Sequence, residues 1–66
     1  MELTVNGQGW RLPGEVTLAD LVPRVSDRDR GIAVAVNGEV VPRADWPARA
    51  LRDGDRVEVL TAAQGG

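Results

Sequence analysis

The sequence closes on TAAQGG, and its last two residues, Gly65 and Gly66, are where chemistry can be sought. The α-carboxylate of Gly66 is a candidate reactive group in its own right. The plainer alternatives are a frayed terminus or a cloning scar. The remaining inventory offers little else. There is no cysteine and no histidine, so the usual nucleophile–base pairs and Cys/His zinc sites are excluded. No catalytic residue and no metal ligand set is assigned. Acidic residues such as Asp53 and Asp55 read as turn formers.

Sixty-six residues make one domain with a thin core. Without a disulfide or a metal, that core must carry the fold alone. A sizeable pocket is hard to build from so short a chain. The net charge is −2, and all eight basic residues are arginines interspersed with acids. There is no basic block for nucleic acid. MELTVNG lacks the basic and apolar regions of a signal peptide, and no apolar run is long enough to span a bilayer. The expected location is cytoplasmic.

Several short elements must position the ending. ELTVN alternates as a half-buried strand, and Asn6-Gly7 is a hairpin signal, because both residues tolerate positive φ. WRLP follows as a second strand, with Gly9 expected to add a bulge or lengthen the loop. Thr17 and Asp20 form a weak capping box before TLADLVPRV. Leu18, Leu21, Val22 and Val25 fall on one helical stripe. Pro23 lies too deep for the first turn, so the helix is expected to kink or tighten near residue 22. SDRDRG reads as a solvated loop. IAVAVNG is a third strand with a second hairpin signal at Asn37-Gly38. EVVPR is a fourth, at a sheet edge or a strand end because Pro42 lacks an N–H. ADWPARAL is a turn or short helix. DGD at 53–55 is a tight turn, and RVEVL is the last strand, with Val57 and Val59 facing inward. The expected fold is α+β, with about five strands and one main helix on one sheet face. The domain is read as residues 1–60, followed by a flexible tail over 61–66.

VNGEVVPRADW at 36–46 and LRDGDRVEVLTAAQGG at 51–66, together with the amino-terminal VNG and TLADL, resemble the ubiquitin-like β-grasp sulfur carriers of the MoaD/ThiS family. The resemblance runs along nearly the whole chain and is nearest to the thiamine-biosynthesis carriers. It implies a mixed sheet with the last strand parallel to the first at its centre. It further implies that an E1-like (ThiF-type) adenylating enzyme uses Mg-ATP to convert the Gly66 carboxylate to an acyl-adenylate. A sulfur donor, such as a cysteine desulfurase, then displaces AMP to leave a thiocarboxylate. That sulfur passes to a ThiG-type thiazole synthase. The carrier binds no cofactor itself, is a co-substrate rather than an enzyme, and is expected to be a monomer on its own.

The residues suit that chemistry. A carboxylate is a poor acyl donor because its leaving group would be oxide; the mixed anhydride with AMP supplies a better one. The partner provides positioning and charge stabilisation. Glycines at 65 and 66 let the backbone enter a narrow channel. Thr61, Ala62, Ala63 and Gln64 are small or uncharged, so threading them desolvates no charge. Six extended residues reach about 20 Å. Leu60, out of phase with Val57 and Val59, is a candidate docking contact, or else an ordinary exposed leucine. Trp10 and Trp46 read as core rather than as a partner patch. Arg43, Arg49, Arg52 and Arg56 read as mainly solvated. The alternatives to a thiamine carrier are a carrier for molybdopterin or another sulfur metabolite, and a β-grasp interaction module without an activated terminus. Molybdopterin relatives tend to be longer, with proline before the final glycines, which AAQGG lacks.

Overall fold

The computed structural model describes residues 1–28 and 30–61. Its order is β1 (Glu2–Val5), β2 (Gln8–Arg11), α1 (Leu18–Val25), β3 (Ile32–Val36), β4 (Glu39–Val40), a 3-10 helix (Arg43–Ala48) and β5 (Arg56–Thr61). The sheet runs β2-β1-β5-β3-β4. β5 lies at the centre, parallel to β1 and antiparallel to β3. This is the mixed β-grasp sheet with one main helix.

Alternation decides which face is buried. Leu3, Val5, Val34, Val36, Val57 and Val59 point to one side and are buried with Leu18, Leu21 and Val22 of α1. The helix starts where the capping box predicts: Thr17 Oγ1 accepts from Asp20 N at 3.3 Å, and Asp20 Oδ2 accepts from Thr17 N at 3.0 Å. Pro23 does not interrupt it; α1 continues to Val25. The proline lacks only the N–H that would reach the Ala19 carbonyl. Ser26 N still closes the last turn on Val22 O at 3.0 Å.

Both VNG stretches make two-residue turns with positive φ, at Asn6 (52°) and Gly7 (81°), and at Asn37 (53°) and Gly38 (85°). The first corrects two expectations. β2 begins at Gln8 rather than Trp10, and Gly9 sits in register opposite Thr4 with no bulge. A type I′ turn matches the strand twist and needs no extra residue. β4 is shorter than EVVPR and ends at Val40, at the sheet edge as Pro42 requires. Val41 still donates to Val34 O at 2.9 Å. Pro42 then caps the 3-10 helix, which brings Trp46 into the core. The indole Nε1–H donates to Val41 O at 3.0 Å, and the Arg43 guanidinium lies 5.5 Å from the ring centroid. Trp10, opposite Leu3, is half-buried against the same core.

The turn at 53–55 is tied to the start of the chain. Glu2 N donates to Asp53 Oδ1 and Gly54 N to Glu2 O, each at 2.6 Å. Gly54 has φ +89°, which favours glycine there.

Candidate functional site

The candidate site is the end of β5, the strand that immediately precedes residues 62–66 in sequence. Val57 and Val59 anchor the strand in the core; Glu58 and Leu60 face outward. β5 continues one residue beyond the expected RVEVL, since Thr61 pairs with Ile32 across the β3 ladder. The expected tail residues Ala62, Ala63, Gln64, Gly65 and Gly66 lie outside the described residues. Leu60 is 65% exposed, as its phase requires.

Leu60 belongs to a larger apolar surface. Ala33 sits opposite Leu60, and Ala35 is opposite both Glu58 and Val40. All five share the outer sheet face. Val40 is 70% exposed. The sheet thus presents a low alanine floor between two projecting side chains, with the charged Glu58 and Arg56 beside it. A shallow hollow of about 300 Å³ at its end is lined by Gly31, Ile32, Ala33, Leu60 and Thr61. Val40 was missed in the sequence because EVVPR gave no phase: two adjacent valines allow either to face the core.

Side-chain amides hold β5 at both ends. Asn37 Oδ1 accepts from Arg56 N at 2.9 Å, and Asn37 N donates to Arg56 O at 2.7 Å. Its Nδ2 donates to Asp55 Oδ1 at 3.0 Å. At the other end, Asn6 Oδ1 accepts from Val59 N at 2.8 Å, and Asn6 Nδ2 donates to Val59 O at 3.2 Å. Neither asparagine stands out in the sequence as more than a turn former.

The described geometry offers an apolar surface at the end of β5. Among the described residues no polar or charged residue is buried, and no group of three metal-ligating side chains occurs. Arg43, Arg52 and Arg56 are exposed; Arg49 is half-buried, with a buried Nε that has no hydrogen-bond partner. No helix of the described residues is long and apolar enough to cross a membrane.

The model of the ThiS family matches residues 2–66. The chain belongs to the ThiS family. It is 29% identical over 66 residues to the sulfur carrier protein ThiS of Escherichia coli, covering all of both chains. It is 39% identical over 62 residues to ThiS of Thermus thermophilus, covering 94% of this chain and 95% of that one. A thiazole synthase of Paramagnetospirillum magneticum is 30% identical over 66 residues, all of this chain but 20% of that protein. The crystal structure of the thiamine biosynthesis protein ThiS from Geobacter metallireducens superposes with a TM-score of 0.85 at 33% identity, covering both chains completely. The β-grasp assignment and the parallel centre of the sheet agree with this ThiS fold.

Proposed function

We propose that this chain is a sulfur carrier of thiamine biosynthesis that bears its cargo on the carboxyl of Gly66. The carboxylate attacks the α-phosphorus of Mg-ATP on an E1-like adenylating enzyme, and pyrophosphate leaves. Persulfide sulfur supplied by a cysteine desulfurase attacks the acyl carbon and displaces AMP, and a thiol then cleaves the S–S bond of the acyl disulfide, leaving the thiocarboxylate and a disulfide. A thiazole synthase receives the sulfur for the thiazole ring. The chain is a co-substrate throughout and binds no cofactor; Mg-ATP belongs to the adenylating partner.

One observation carries this reading: the family match extends through residue 66 and so includes both terminal glycines. The thiazole synthase that contains a stretch similar to this entire chain supports the choice of acceptor. Leu60 supports a docked arrangement, because it and Val40 leave the outer sheet face beside the end of β5 apolar and exposed. Gly65, Gln64, Ala63 and Ala62 then thread toward the ATP site without stripping water from any charge.

Intact mass after incubation with the adenylating enzyme, Mg-ATP and a sulfur source tests the proposal. The expected product carries one sulfur in place of one oxygen at Gly66, and deletion of Gly66 abolishes it. An unchanged mass, with the enzyme active on another carrier, would leave an interaction module as the better reading.

A further inference from the structure

β1 runs out before β5 does. Along the shared edge, Thr4 N donates to Asp55 O at 3.0 Å and Asn6 N to Val57 O at 2.9 Å. The next peptide groups in that series are those of Val59. Opposite them the main chain has already turned away at Asn6-Gly7. The Asn6 carboxamide occupies that place, accepting from Val59 N and donating to Val59 O. It reproduces the one donor and one acceptor of a peptide group. Few side chains meet both demands. The position has φ 52°, which asparagine tolerates better than most residues. Glycine would keep the turn and lose the amide; aspartate would keep an acceptor and lose the donor.

We infer that Asn6 is a positioning residue for sulfur loading, acting through β5 on the direction in which the chain leaves the domain. The inference rests on the carrier reading. Val59 is the last residue of β5 with a neighbour on both edges: its N–H and C=O are taken by Asn6, and it lies in register opposite Val34 of β3. Beyond it, Leu60 and Thr61 are paired with β3 alone. Releasing Val59 from Asn6 frees the end of β5 to swing about the β3 edge. The point at which the chain passes beyond Thr61 is then no longer fixed, although the carboxylate of Gly66 must meet an α-phosphorus in line. Leu60 lies on the freed end, but its side chain is unchanged and it stays paired with Ala33, so capture suffers less than alignment.

The second VNG supplies a matched control. Asn37 has φ 53° and holds the start of β5 by the same kind of amide contact, at the end remote from the exit. ATP–pyrophosphate exchange on an adenylating enzyme, with the full chain as the varied substrate, reads kcat and KM separately. Asn6→Gly lowers kcat about tenfold, the worth of two neutral hydrogen bonds, with a smaller rise in KM. Asn6→Asp, which sets a carboxylate oxygen against Val59 O, lowers kcat likewise. Asn37→Gly leaves kcat unaltered at a comparable loss of thermal stability. In the free protein the Val59 amide exchanges faster in both Asn6 variants and not in Asn37→Gly. Equal kcat in the Asn6 and Asn37 variants, or a loss that follows thermal stability alone, would overturn the positioning role. Absence of exchange with the unaltered chain would instead refute the carrier reading, and this role with it.

Discussion

Replacing Leu60 by alanine separates docking from folding. Leu60 is 65% exposed in the free domain. Full burial of a leucine side chain is worth about 1.5–3 kcal/mol. A partner that covers the remaining two thirds of this one therefore gains about 1–2 kcal/mol. Alanine forfeits most of that, so the KM for the carrier rises about 5–30-fold, at tenfold per ~1.4 kcal/mol. The fold loses little, because surface substitutions away from special features fall within about 0.5 kcal/mol. Val57→Ala is the companion variant, on the same strand and the opposite face. Val57 is fully buried. Losing two methyl groups there costs about 2 kcal/mol and lowers the melting temperature by roughly 8–16 °C in a domain of this size. Measured well below both melting points, Val57→Ala keeps its KM and Leu60→Ala does not. An unchanged KM for Leu60→Ala would refute the argument that the outer face is covered during loading.

Trp46→Phe removes the donor to Val41 O and leaves a buried carbonyl unpaired; thermal unfolding should register a loss of about 1–3 kcal/mol. Gly54→Ala meets no atom within 4 Å, yet its φ is +89°, so backbone strain alone destabilises it by about 1–2 kcal/mol. Gly9→Ala also meets open space, without the unfavourable φ; it should stabilise the fold by about 0.5 kcal/mol through the unfolded chain. Denaturant midpoints for these two glycine variants should therefore move in opposite directions. Gly65→Ala should slow adenylate formation in single-turnover measurements, and a rate equal to that of the unaltered chain would sink the narrow-channel argument.

Much of the architecture was legible because local rules agreed with it. Alternation in ELTVN, IAVAV and RVEVL fixed which side chains face the helix, and the Thr17–Asp20 box placed the helix start. The parallel pairing of β1 with β5 was not legible from pattern. It joins residues about fifty positions apart and came only with the family resemblance. Gly9 invited a bulge that the I′ turn made unnecessary. Pro23 conflicts with the helical pattern, yet α1 runs on to Val25, because one missing hydrogen bond weighs little against the burial of Leu18, Leu21 and Val22. At the site, Leu60 could be placed outward by counting in twos. The part played by Asn6 could not, because an asparagine before a glycine reads as a turn residue, and its partner Val59 lies on the far side of the sequence.

The central place of β5 sets the order of events in folding. Without that strand, β1–β2 and β3–β4 are two hairpins with no strand shared between them. Sheet closure must wait until residues 56–61 emerge from the ribosome, and such long-range pairings are the slow ones. The outer-face partnership of Leu60 with Ala33 does not exist until that last strand has slotted in. An enzyme that grips this surface therefore inspects maturity as well as identity. On the proposed loading by adenylation, ATP would be committed only to chains whose sheet has already closed.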